Sequence, residues 1–161
     1  MGIEQDLVTI AAQERALVFE SFSAETAWKL GSKLREEAIK RGAAMTFEIQ
    51  MAGRTLFLVS TDGAPAGQMD WIRRKRNVIQ RFGKSSYAVG LELEKSGKTI
   101  EERHGLSLTD YAMHGGAFPL TLRGTGYVGS VIASGLAQRD DHNIVVDALA
   151  AILQVAVDRL D

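Results

Sequence analysis

Apolar residues recur with a helical period at Ile3, Leu7, Ile10 and Ala11, which predicts a short amphipathic helix ending near Arg15. Ala16 to Glu20 then reads as a first strand. Ser23 is placed to cap a helix whose Trp28, Gly31, Leu34, Ala38 and Ile39 share a face, with Gly42 just beyond its end. The period changes to two at Met45 to Met51. Ala52-Gly53 supplies a turn, and Arg54 to Ser60 returns as the antiparallel partner. Beyond the turn at Asp62 to Pro65, helical spacing predicts helices from about Gly67 to Phe82 and from Ser85 to Lys95, and a short one near Leu108 to Met113. Phe118 to Leu122 and Tyr127 to Ala133 form a second hairpin. A long last helix, Asp141 to Leu160, turns Ile144, Val145, Ala148, Ile152, Val155 and Ala156 inward. About five strands, mostly in hairpins and packed by helices, make an α+β fold with a mainly antiparallel sheet rather than a doubly wound one.

At 161 residues the chain fits a single domain over 1–161, a size at which folding buries roughly 70% of the unfolded surface. The absence of cysteine excludes disulfides, thiolate zinc sites and a cysteine nucleophile. It suits a reducing compartment, and Met1 to Asp6 lacks the basic and apolar regions of a signal peptide, so a cytoplasmic protein is expected. Asp147 and Gln154 interrupt the most apolar segment well short of the ~20 residues that span a bilayer. With 19 basic and 20 acidic side chains, the chain as a whole has no electrostatic footprint for nucleic acid or membrane. Its expected partners are a small molecule and further copies of itself. The terminal helices carry more apolar positions than one stripe needs, notably Ala150, Ala151, Ile152, Val155 and Ala156, and such wide faces serve subunit contacts.

Gly124-Thr125-Gly126-Tyr127-Val128-Gly129 matches the dinucleotide pattern G-x-G-x-x-G. A strand follows it instead of the helix whose N-terminus receives the pyrophosphate, so it reads as a hairpin turn. The helix from Trp71 to Phe82 holds a clearer anomaly. Trp71, Ile72, Val78, Ile79 and Phe82 fall within an arc of roughly 120° at 100° per residue, and Lys75 lies near its centre. Two readings compete: the lysine stem packs under Trp71 while the ammonium reaches the edge, or the ammonium lines a pocket and meets an anion. Arg73, Arg74, Arg76 and Arg81 form a solvated flank rather than a nucleic-acid surface.

Of three histidines, His104 reads as an exposed loop residue, and His142 as a first-turn surface residue behind the helix-starting carboxylates Asp140 and Asp141. His114 is the candidate for chemistry, since Gly115-Gly116 can turn backbone amides toward an anion beside a titratable, metal-competent ring. A histidine closing a helix ahead of a glycine cap is the structural alternative. Neither an H-E-x-x-H motif nor a G-x-S-x-G elbow is present, so metallopeptidase and α/β-hydrolase chemistry have no support.

The order of these pieces is distinctive: Trp71-Ile72-Arg73-Arg74-Lys75-Arg76-Asn77, then His114-Gly115-Gly116-Ala117-Phe118-Pro119, the Arg123 to Gly126 turn, the Val128 to Leu136 strand, and Arg139-Asp140-Asp141-His142. From about Ala16 to the C-terminus it resembles the haem-degrading-domain family of GlcG-like and HbpS-like proteins, in its compact single-domain branch. The resemblance implies an α+β fold. Members bind haem or related tetrapyrroles, some promote haem breakdown, others accompany glycolate or cobalamin metabolism, and several form homo-oligomers. The compact branch carries no assigned reaction, so no catalytic set follows. The expectation is a homo-oligomeric pocket protein for a small planar or carboxylated ligand, with haem the first candidate. In that reading His114 ligates iron or hydrogen-bonds the ligand, Lys75 pairs with its carboxylate, Gly115 and Gly116 let the backbone approach, and Trp71, Phe118 and Tyr111 supply apolar walls. Removing Lys75 would then spare the fold while weakening the ligand. The competing reading is a non-catalytic assembly or adaptor protein that recruits a protein partner.

Overall fold

Two hairpins meet at their first and last strands to make the sheet. A computed structural model describes residues 2–161. Strands β1 (Thr46–Met51) and β2 (Arg54–Ser60) form the first hairpin, and β3 (Ala117–Leu122) and β4 (Gly126–Ser134) the second. Ala52 and Gly53 take positive φ values of 51° and 75° between β1 and β2, the primed-turn geometry that matches strand twist. The sheet order is β2-β1-β4-β3, with every pairing antiparallel. In the central pair Thr46 lies opposite Ser134 and Met51 opposite Gly129. Gly129 has to be glycine, because a Cβ would run into the carbonyl of Gln50.

Strand alternation assigns the two faces. Phe47 and Ile49 of β1, Phe118 and Leu120 of β3, and Val131 and Ala133 of β4 enter the main core with helices α2 (Ala24–Lys40) and α6 (Gln138–Leu153). On the other face Ala117 and Ile132 meet Ile72 and Ile79 of α3 (Gln68–Phe82). Helix α4 (Ser86–Ser96) and the short α5 (Ile100–His104) pack beside α3 through Val89, Leu93 and Ile100. Helix α1 (Ile3–Ala16) places Ile10 against Tyr87, Ala88, Leu91 and Leu160. Ser23 and Thr26 form a capping box on α2, and Ser85 and Thr99 cap α4 and α5. Among the described residues no helix is long and apolar enough to cross a membrane.

The sheet has four strands, one fewer than the hydrophobic pattern predicts. Helix α1 runs through Ala16, so the expected first strand shrinks to a parallel bridge at Phe19, whose amide donates to the Thr121 carbonyl at 2.9 Å. Residues 108–113 form no helix; the helical turn lies at α5, ahead of them. In α2 the buried set is Ala27, Leu30, Gly31, Leu34 and Ala38, which leaves Trp28 62% and Ile39 52% exposed. The cause is close packing, since a Cβ at Gly31 would enter the ring of Phe57. Helix α6 stops at Leu153. Gln154 takes the left-handed conformation with φ of 55°, and the chain turns back toward α1, leaving Val155 and Ala156 on the outside. Asn143 pins this tail from both sides, donating to the Leu160 carbonyl at 2.9 Å and accepting from its amide at 3.2 Å.

Candidate functional site

Lys75 projects from the buried side of α3, one turn past Ile72, and is 2% exposed. Its ammonium donates to the Ala133 carbonyl at 2.9 Å and to Asp141 Oδ2 at 3.1 Å. Asp141 sits in the first turn of α6, equally buried. Its carboxylate also accepts from the amides of Leu136 at 2.9 Å and Gly135 at 3.3 Å, so the N-terminus of α6 and the end of β4 are tied together. Burial pushes the lysine pKa down and the aspartate pKa up, with their mutual attraction opposing both shifts. The pair therefore titrates as a unit.

Above this pair opens a cleft of about 360 Å³, walled by Pro65, Gln68, Trp71, His114, Leu136 and Gln138, with Lys75 and Asp141 at its floor. Trp71 stands 36% exposed at the mouth, its ring edge-on to His114 with centroids 5.1 Å apart. The Arg74 guanidinium lies over the same indole at 4.7 Å. Arg74 also donates twice to the Leu108 carbonyl, and Arg73 and Asn77 hold Thr109 and Asp110, so the basic strip clamps the loop leading to His114 onto α3. From the other side Ser86, fully buried, donates to the His114 carbonyl at 2.6 Å and accepts from the Ala117 amide. The backbone at His114 is thus fixed while its ring faces solvent. Desolvation, helped by the charges of Lys75 and Arg74, holds the His114 pKa below its ordinary value, which keeps the ring neutral and a nitrogen lone pair available at neutral pH. Among the described residues neither ring nitrogen meets a hydrogen-bond partner, and no group of three or more metal-binding side chains assembles.

A glycine pair carrying a histidine, a lysine-bearing helix and a two-hairpin sheet coincide with a family match. The model of haem degrading protein HbpS-like matches residues 22–150. The chain belongs to this HbpS-like family. A UPF0303 protein of Azotobacter vinelandii is 51% identical over 160 residues, covering 99% of this chain and 96% of that protein. Among solved structures, the Ybr137w protein superposes with a TM-score of 0.86 at 28% identity, over 94% of this chain and 92% of that one. The PduOC:heme complex gives a TM-score of 0.69 at 16% identity, over 88% and 99%, a likeness of fold.

In this HbpS-like chain the cleft brings together Trp71, Lys75, His114 and Gly115. Phe118 is elsewhere: alternation along β3 turns it to the opposite face, where it is 1% exposed in the main core. Tyr111 packs beside Val78, Val89 and Leu93 rather than lining the cleft. Gly115 and Gly116 do permit a close approach, but of the protein to itself. A Cβ on Gly115 would meet the Gln138 carbonyl, and one on Gly116, whose φ is 131°, would meet the Ala133 carbonyl and stand 2.7 Å from Lys75 Nζ. The Gly115 amide is engaged by Gln138 Oε1 at 3.3 Å. Lys75 satisfies both readings in part, for its ammonium reaches a cleft and meets a carboxylate, yet the carboxylate is Asp141. His114 closes no helix. His104 ends α5 with its ring against Phe82.

His142 corrects the surface reading outright. It is 1% exposed, its Nε2 is 2.8 Å from Gln13 Oε1, and its ring packs against Tyr87 and Phe118. Burial, reinforced by the Arg139 charge, pushes its pKa down to about 3. Two apolar stripes share α6, and His142 begins the second one with Val145, Val146 and Leu149. Asp141 was missed as a site residue because a carboxylate in a first helical turn is explained by capping. Its spacing to Ile144, Val145 and Ala148 is the signal that marks it as inward-facing. Gly124 and Gly126 flank the β3–β4 turn with φ of 79° and 103°, and no helix follows.

Proposed function

We propose that the whole chain acts as one haem-degrading-domain-like unit, a cytoplasmic homo-oligomeric protein that takes a small planar, carboxylated ligand into the α3–α6 cleft, with haem or a related tetrapyrrole the first candidate. One observation carries this reading: a neutral, unpartnered imidazole at His114 standing against the indole of Trp71 at the mouth of a cleft floored by the Lys75–Asp141 pair. The family match and the heme complex of a protein of like fold support it.

The residues fit such a group by edge and face. A cleft of about 360 Å³ is at the small end of the ~300–1,000 Å³ range of ligand sites, so it would hold part of a macrocycle, with Trp71 at its mouth supplying an aromatic face. His114 is the one available nitrogen ligand for iron there. Arg74 has one guanidinium nitrogen outside its hydrogen bonds to Leu108, and it receives a ligand carboxylate at the rim. Lys75 has committed two of its three donors to Ala133 and Asp141 and offers the third to the cleft. Titrating the protein with haem and recording the visible spectrum tests the proposal. A Soret shift saturating at one equivalent, altered in His114→Ala while the melting temperature stays unchanged, is the expected result. An identical spectrum for parent and variant removes His114 as ligand, and no saturable shift removes haem.

A further inference from the structure

The edge of the sheet at β2 has no strand beyond it, and a groove runs along it. Between α2 and this edge lies a depression of about 540 Å³ bordered by Trp28, Ser32, Arg35, Glu36 and residues 56–59 of β2. It continues past Arg35 into a second of about 340 Å³ that reaches Ile39 and Ser60. Trp28, Ser32, Arg35 and Ile39 follow helical spacing, so α2 carries an outer stripe beside its buried one. Trp28 is 62% and Ile39 52% exposed on α2, and Leu58, 47% exposed, projects from the opposite face of the same edge, because strand alternation sets it against Glu48 rather than with Phe57. Strand β2 contains neither proline nor lysine, and its one charge, Arg54, and its register shift against β1 at Leu56 lie toward the hairpin end, which leaves Phe57 to Ser60 without the features that ordinarily keep an open edge from pairing. A seven-residue strand and a 17-residue helix are of matched length, about 23 Å and 25 Å.

We propose that this edge is a two-fold interface between copies of the chain, with β2 pairing antiparallel to β2 of the second copy and the two α2 helices side by side. It deepens the self-association in the proposed function by assigning its surface, and it shares no lining residue with the α3–α6 cleft. Charge selects a second copy over a foreign strand. Arg35 and Glu36 sit next to each other on the groove, and among the described residues neither forms an ion pair. An Arg-Glu patch of zero net charge complements itself under two-fold rotation, each Arg35 meeting the other copy's Glu36, whereas a charged peptide would call for one sign. An antiparallel edge has the same property, because the same backbone groups of both copies pair with one another.

Light scattering across a concentration series tests this. The parent protein is expected to give a dimer or a multiple of one at micromolar concentration. Leu58→Glu, at a half-exposed position outside the core, should raise the dimer dissociation constant at least tenfold with an unchanged melting temperature. Arg35→Glu and Glu36→Arg should each weaken the dimer, and an equimolar mixture of those two variants should recover it as a heterodimer. A parent that stays monomeric overturns self-association altogether. An oligomer whose mass survives both Leu58→Glu and Arg35→Glu overturns this surface while leaving self-association standing, and a mixture that recovers nothing overturns the two-fold pairing of Arg35 with Glu36.

Discussion

Acid should unfold this protein through His142 before most carboxylates are protonated. The folded state holds that ring neutral, with a pKa of about 3 against an ordinary 6.5. The sign follows directly. In the unfolded chain the imidazole gains a proton below pH 6.5, and in the folded protein it does not until about pH 3, so the unfolded state binds more protons throughout that window. Stability is fully present above pH 6.5 and is lost at about 1.4 kcal/mol per pH unit below it, reaching about 5 kcal/mol at the lower limit. Between pH 7 and pH 5 the loss is about 2 kcal/mol, a large share of the ~5–15 kcal/mol that domains possess. Urea denaturation at half-unit pH steps, on the parent and on His142→Gln, isolates the effect. The glutamine amide can still donate to Gln13 Oε1, but it does not titrate. The difference in unfolding free energy between the two proteins should narrow by about 2 kcal/mol from pH 7 to pH 5. Parallel pH curves would refute the reasoning and place the ring in contact with water.

Four further outcomes follow from contacts described above. Lys75→Ala should destabilise by about 3–5 kcal/mol, because it strands the buried Asp141 carboxylate; this reverses the expectation that removing the lysine spares the fold. In urea melts the double variant Lys75→Met with Asp141→Leu should recover most of that loss, and a double variant as weak as the single one would show that shape rather than charge is at stake. Gly116→Ala should cost on the order of 2 kcal/mol or more, since the new Cβ enters the Ala133 carbonyl at a positive φ; a melting temperature equal to the parent's would contradict it. Asn143→Ala should release the tail at a cost of about 1–3 kcal/mol, seen as fast amide exchange of Leu160, whose amide Asn143 now holds. Calorimetry with NAD should give no specific heat, because no helix N-terminus follows Gly124 to Gly126; binding that Gly126→Val abolishes in a folded protein would overturn this.

Much of the architecture was legible from periodicity. The capped α2, both hairpins and the amphipathic α3 lie where the hydrophobic positions put them, because each is held by local chemistry: Ser23 and Thr26, the Ala52-Gly53 turn, the αL glycine Gly83. What failed was long-range. Nothing local distinguishes Ala16 to Glu20 from a strand, and only the sheet shows that a single residue of it pairs. The end of α6 was illegible because Ile152, Val155 and Ala156 continue helical spacing, with neither glycine nor proline at Gln154. At the site, Lys75 announced itself as a charge on an apolar stripe. Its partner lies 66 residues later and was hidden by a capping explanation, although Asp141 breaks an apolar stripe in the same way. Pairing the two anomalies would have located the floor of the cleft from the sequence.

The order β2-β1-β4-β3 also has a kinetic meaning. Each hairpin closes over two or three residues, a microsecond event. The central β1–β4 pair instead joins chain segments separated by α3, α4, α5 and two whole strands, β2 and β3, and the entropy of closing that long loop must be met before any of its contacts form. Every component of the cleft straddles this joint: Lys75 and His114 arrive from within the loop, and Ala133 and Asp141 from its far side. A chain with both hairpins formed but unjoined has strands, helices and no cleft. Binding competence should therefore appear in the slowest folding phase, after most of the circular dichroism signal, and the ligand, by holding the two halves together, should slow unfolding far more than it speeds folding.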